Sequence, residues 1–186
     1  MSPSNPSLAS SLSPEFVLLG LLAEKPAHGY ELHRRLRTDL GQVWRIRLNH
    51  CYNLLKRLET QGLIEGEVES RGGAPDRRRF HLTRAGKARF ESWMSSPAGT
   101  SVRAIRVEFL TKLYFLRSRS PKALEALVAD QRQALASDLR RLQKILDQVE
   151  DGKPINRLAL DLRISQLKAI LGWLTTRSLV KLQQER

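Results

Sequence analysis

Asn49, His50, Asn53 and Lys56 fall at helical spacing on one side of a short amphipathic segment. Asn and His side chains can hydrogen-bond base edges, and a lysine can meet a phosphate or a guanine. Arg45 and Arg47 lie just upstream, where phosphate contacts would fix the register of such a helix. Further along, Arg71, Arg77, Arg78 and Arg79 cluster around a Gly/Pro-rich loop, a second candidate for meeting a polyanion. Catalytic constellations are missing by contrast. His28, His33, His50 and His81 are scattered, and no HExxH, GxSxG, CxxC or P-loop pattern occurs. Catalytic residues, metal ligands and cofactors are therefore all expected to be none. Cys51 stands alone, so no internal disulfide or thiolate metal site is possible, and a buried inert thiol is expected.

The charge balance agrees with a polyanionic partner. In 186 residues, 32 Lys and Arg face 19 Asp and Glu, a net charge of +13. Nucleic acid comes first as partner and an anionic surface second. No apolar run approaches the length of a membrane span and the first residues lack a signal-peptide pattern, so a cytoplasmic chain without a membrane partner is expected. The basic residues are dispersed among apolar periodicities, so many of them also fit the solvated faces of helices.

The elements that would position these residues can be read in order. Residues 1–12 are rich in Ser, Pro and Asn, which suggests a flexible arm. Ser13-Pro14-Glu15 starts a helix that is apolar nearly all round through Phe16–Leu22 and stops before Pro26. A second helix spans about His28–Leu40, with Tyr30, Leu32 and Leu36 inward. A third spans about Asn49–Gln61, with Tyr52, Leu54, Leu55 and Leu58 as its core stripe and Gly62 as terminator. Tyr30 and Tyr52 are also counted among the DNA-facing residues. The period then changes from 3.6 to 2. Leu63–Ser70 and Arg77–Thr83 alternate as two strands around the loop Arg71–Asp76, a β-hairpin. Across it, Glu65, Glu67 and Glu69 could neutralise Arg77 and Arg79, which leaves Arg71 and Arg78 as the arginines to spare. Thr83 caps a trailing helix to about Met94. The fold class is mainly α, an N-terminal winged helix-turn-helix over 13–95 with a two-stranded wing.

Ser95–Ser101 is a linker, and 102–186 read as a helical dimerisation and effector domain. Its helices span about Val102–Leu116, Ser120–Val149 and Ile155–Gln184. Leu135, Leu139, Leu142 and Leu146 step as a coiled-coil-like seam. The last helix carries two apolar stripes, one of Leu160, Ile164, Leu167, Leu171 and Leu174, the other including Ile155, Leu158, Leu162, Ile170 and Trp173. Two faces need two partners, a neighbouring helix and a second subunit, or else a monomeric bundle closed over the trailing helix. The seam, the first stripe and Phe16 are the dimerisation candidates. Trp93, Phe109, Tyr114 and Trp173 are candidates for lining an effector cavity, although each also suits plain core.

Three stretches together resemble the PadR transcriptional regulators. They are Leu19–Leu32 with its His28-Gly-Tyr30, then Tyr52 followed by Leu55, Arg57, Leu58, Glu59 and Gly62-Leu-Ile64, and the wing from Pro75-Asp-Arg to Phe80-x-Leu-Thr-x-Ala-Gly86. Glu108-Phe-Leu-Thr-Lys-Leu-Tyr-Phe115 resembles the opening of the long C-terminal domain in the phenolic-acid-regulator branch. The resemblance covers about residues 13–186. It implies a homodimeric repressor on an inverted-repeat double-stranded DNA operator, released by a small aromatic or phenolic effector. It also implies dimerisation through the C-terminal helices with help from the first helix. The chain has Arg47, Asn49 and Tyr52-Asn53 where members often show Ser, Gly and Tyr-Pro, so base contacts do not carry over. Two rival classes stay open: a protein-interaction adaptor with only non-specific DNA affinity, and an enzyme acting at the domain junction.

Overall fold

The structure, a computed structural model, describes residues 12–71, 74–117, 120–150 and 152–175; the side chains of 70–71 and 74–76 are not described. The expected arm, the wing tip at 72–73 and the last turns of the final helix lie outside the described residues. The chain divides into two compact units, Met1–Ser96 and Pro97–Arg186.

In the first unit α1 (Glu15–Glu24) is buried from Glu15 to Leu22, as its continuous apolar face requires. Glu15 enters that core through an ion pair, Arg57 Nε–H donating to its Oε1 at 2.5 Å. The helix α2 (Gly29–Leu40) buries Gly29, Leu32, Leu36 and Leu40, and α3 (Leu48–Thr60) buries Cys51, Leu54, Leu55 and Leu58. Gly62, at φ +67°, lies in the left-handed region open mainly to glycine and turns the chain out of α3. The wing follows, β2 (Ile64–Arg71) antiparallel to β3 (Ala74–Leu82), with an irregularity between Glu69 and Arg71. Its sheet has three strands where the alternation gave two. The short β1 (Ala27–His28) pairs with Phe80 and Arg79, giving the order β1-β3-β2. Two residues are too few for any alternation to show. The trailing helix α4 (Arg84–Ser95) is capped by Thr83 Oγ1, which accepts from the Gly86 N–H at 3.0 Å.

The second unit is helical. The segment expected as one helix over 102–116 is α5 (Val102–Ala104), a π-helical turn over Ile105–Phe109, and α6 (Leu110–Leu116). The long helices α7 (Pro121–Asp147) and α8 (Pro154–Thr175) pack side by side. No helix among the described residues is long and apolar enough to cross a membrane.

Candidate nucleic-acid interface

Where the N-terminus of α2, the exposed side of α3 and the base of the wing converge, the first unit carries a hollow of about 870 Å3. Its walls include Tyr30 and Arg34 from α2, Tyr52 and Lys56 from α3, and Arg77 and Arg78 from β3. Both tyrosines were expected on core stripes and sit outside them, Tyr30 at 57% and Tyr52 at 44% exposure. Helix geometry explains the difference. The buried stripe of α2 is 29, 32, 36 and 40, and that of α3 is 51, 54, 55 and 58, so each tyrosine lies about 100° off its stripe. The Tyr52 ring rests on Gly29, where a Cβ would come within 2.6 Å of its Cε1. A glycine thus lets the two helices close up and present both phenols to the same hollow.

The remaining candidates on α3 lie on its exposed side, as their spacing predicts. Asn49, His50, Asn53 and Lys56 are exposed along α3, and Arg45 and Arg47 are exposed in the connection before it. Arg34, which the sequence reading passed over, joins them one turn after Tyr30 on α2. The signal was available, since residues four apart share a helix face.

The wing arginines differ from expectation. Arg79 Nη1 donates to Glu69 Oε1 at 3.1 Å, a cross-strand pair of the expected kind. Arg78 is the most engaged of the group. Its Nη1 and Nη2 donate to Glu59 Oε2 and Oε1 at 3.0 and 2.5 Å, its Nη2 also reaches the Gly66 carbonyl at 3.2 Å, and its guanidinium lies 5.5 Å over the Phe80 ring. The partner comes from α3, a tertiary contact that strand alternation cannot reveal. Arg77 is exposed and lines the hollow, and the Arg71 side chain lies outside the described residues. His28 ties the wing to α2: its Nδ1 lies 3.1 Å from the Arg78 carbonyl and its Nε2 3.4 Å from Glu69 Oε2. Glu31 accepts the His28 backbone N–H at 3.1 Å, and that bond chiefly holds its carboxyl below the usual range. Of the hollow's two acids, Glu31 serves the helix start and Glu59 the wing, so Arg34, Lys56 and Arg77 leave the surface net positive.

The other candidates are less united. Trp93 is buried in the first unit, stacked on Phe16 with ring centroids 4.8 Å apart, so both serve that unit's core. In the second unit Phe109 is buried, and Tyr114 is buried edge-on to Phe115 at 5.1 Å. Trp173 lines an apolar hollow of about 320 Å3 with Val102, Ile105, Leu110 and Ile170 among its walls. The proposed interface residues Leu135, Leu142, Ile164, Leu167 and Leu174 lie in the core between α7 and α8, with Leu139, Leu146, Leu160 and Leu171 packed against it. Each helix fills the other's stripe, so this set is satisfied within one chain. Of the other stripe of α8, Ile155, Leu158 and Leu162 stay open at 74%, 64% and 61% exposure, whereas Ile170 packs against the core. Among the described residues no group of His, Cys, Asp and Glu is arranged to hold a metal.

Residues 18–92 match the Transcriptional regulator PadR-like family, and residues 105–177 match the Virulence activator alpha C-term family. The Negative transcriptional regulator PadR of Bacillus subtilis (strain 168) is 30% identical over 131 residues, 68% of this chain and 70% of that protein. Among solved structures, Bacillus subtilis PadR in complex with operator DNA aligns over 91% of this chain and 96% of that chain, at TM-score 0.45 and 24% identity. A PadR-like transcriptional regulator from Bacillus cereus covers 94% and 100%, at TM-score 0.42 and 20% identity. With a winged helix over the first matched segment, a helical unit over the second and that relative spanning two thirds of its length, the chain belongs to the PadR-like family of transcriptional regulators, DNA-binding proteins rather than enzymes.

Proposed function

We propose that the chain represses transcription as a homodimer on an inverted-repeat operator, and that a small aromatic effector releases it. The observation that carries the DNA half of this reading is the convergence of Tyr30, Arg34, Tyr52, Lys56 and Arg77 on one net-positive hollow beside the exposed side of α3. In this reading Asn49, His50 and Asn53, exposed along α3, meet base edges in the major groove. Tyr30, Tyr52, Arg34, Arg45, Arg47, Lys56 and Arg77 are placed to meet the sugar-phosphate backbone. Arg71, Arg78 and Arg79 complete the wing, with Arg78 and Arg79 engaged inside the protein. Such work belongs in the cytoplasm, with the DNA. A relative named as a negative regulator supports repression.

The homodimer rests on the open stripe of α8. Ile155, Leu158 and Leu162 form an apolar row on a charged chain, and a second copy would cover it and pair two reading helices about 34–36 Å apart. The effector reading rests on the apolar hollow beside Trp173, which has room for a small flat molecule. Such a ligand weakens DNA binding only by favouring one arrangement of the dimer over another.

Selection of duplexes from a random library at about 150 mM salt tests the function, because non-specific binding is weak there. A recovered palindrome with half-sites about ten base pairs apart is the expected result. Recovery of no motif, with affinity collapsing as salt rises, would put the adaptor reading ahead.

A further inference from the structure

Glu59 stands in the last turn of α3, on the same helix as the residues assigned to the bases, yet its carboxylate is aimed at the wing. Both of its oxygens are used. Oε1 accepts from the Gly66 backbone N–H at 3.0 Å and from Arg78 Nη2 at 2.5 Å, while Oε2 accepts from Arg78 Nη1 at 3.0 Å. Arg78 then returns Nη2 to the Gly66 carbonyl at 3.2 Å. Gly66 lies on β2, an outer strand of the sheet, where backbone groups would otherwise face water. A fork-to-fork pair of this kind fixes direction as well as distance. The position is also sterically committed. A Cβ at Gly66 would come within 2.8 Å of Arg78 Nη2 and 2.9 Å of Glu59 Oε1. From the other side the Arg78 carbonyl is held by His28, and its guanidinium rests over Phe80.

We infer that Glu59 is a positioning residue for DNA recognition, which locks the wing to the reading helix through Arg78 and Gly66. The inference rests on the DNA-binding reading. It assigns Arg78 a different task from Arg77 and Lys56, since its charge is held by Glu59 and is not directed at a phosphate. Wing and reading helix then meet the duplex as one rigid piece, and only a duplex that suits both at once is held tightly. Loosening the clamp costs selectivity before it costs electrostatic attraction.

The test uses the full chain with Glu59→Gln, Arg78→Ala and Lys56→Ala variants. Affinity is read by fluorescence anisotropy on a library-selected duplex and on a random duplex, over a salt series. The clamp predicts that Glu59→Gln and Arg78→Ala each weaken the selected duplex roughly tenfold, or about 1.4 kcal/mol. They leave the random duplex within about twofold and the salt slope unchanged, whereas Lys56→Ala flattens the slope by about one for both duplexes. A slope flattened by about one in Arg78→Ala would make Arg78 a phosphate contact and overturn the inference. Equal losses on both duplexes in Glu59→Gln would do the same. Amide hydrogen exchange at Gly66 supplies a readout without DNA, and faster exchange is expected in Glu59→Ala, which removes the oxygen that accepts the Gly66 N–H. Unchanged exchange there would also overturn the clamp. Should the unaltered chain hold both duplexes equally, the DNA reading falls and the positioning role with it. The Gly66 comparison still separates that failure from a failure of the clamp itself.

Discussion

At the scale of single residues, burial decides which groups can act. Cys51 lies in the core stripe of α3, and burial pushes its thiol up to about 11. Reactive cysteines need thiolate character and access, and this one has neither. Labelling with a maleimide at pH 7 is expected to be negligible in the native chain and complete in denaturant; rapid native labelling would show an open α3. Lys56 is the opposite case, an exposed cation on the wall of the hollow. Replacing it with Ala is expected to weaken binding to all sequences alike, with a salt slope reduced by about one. An unchanged slope would remove it from the phosphate contacts. The exposure of Asn49, His50, Asn53 and Lys56 on α3 was legible from spacing, whereas Tyr52, assigned by it to the core stripe, is exposed. The tasks of the wing arginines were not legible, because Glu59 reaches Arg78 across the fold rather than across the hairpin.

At the scale of elements, turns and caps were legible because they are local chemistry. The Thr83 cap, the Gly62 turn and the start of α7 behind Ser120-Pro121 all follow from side chains within a few residues. The π-helical turn at Ile105–Phe109 was not legible. Val102, Ile105, Phe109 and Leu113 keep a helical period through it, so the extra residue leaves no mark on the pattern. Nor did the pattern show that Glu108 and Lys112 are buried as an ion pair at 3.0 Å. Burial holds the Lys112 amine below its ordinary value, and the Glu108 hydrogen bond and charge oppose that shift. Glu108→Gln removes the counter-charge, and breaking a buried pair in this way costs about 3–5 kcal/mol. In that variant the folded chain gives up the lysine proton before the unfolded chain does. Thermal stability is therefore expected to recover as pH rises towards the ordinary lysine value of 10.5. A midpoint independent of pH over that range would mean that Lys112 reaches water. Asp138 behaves in the opposite sense. Burial opposes its charge, but hydrogen bonds from Arg141 and Thr100 and the nearby Arg163 hold its carboxyl below 3.8. Its contribution to stability is present above 3.8 and is lost as pH falls through the lowered value.

At the scale of the whole molecule, the chain pairs a winged-helix unit with a helical unit, and the proposed function needs two copies. The sequence carries both apolar stripes of α8, and its spacing assigns the first of them to a dimer interface. The structure has α7 covering the stripe of Ile164, Leu167 and Leu174, which leaves Leu158 and its neighbours exposed. Leu158→Glu is therefore expected to halve the mass in sedimentation while the monomer stays folded, with a melting temperature that no longer depends on protein concentration. Leu167→Glu, which buries a charge between α7 and α8, is expected to unfold the second unit. A Leu158→Glu chain that stays dimeric would move the interface elsewhere. Entry of α3 into the DNA groove would leave a pattern in a cleavage map. Because Cys51 is buried, an iron chelate that cuts DNA can be attached at one place through a Gln61→Cys substitution at the exposed end of α3. Cuts centred within each half-site of the selected palindrome, and none on a random duplex at the same salt, are expected. Cuts scattered evenly along both duplexes, or none on either, would contradict that entry.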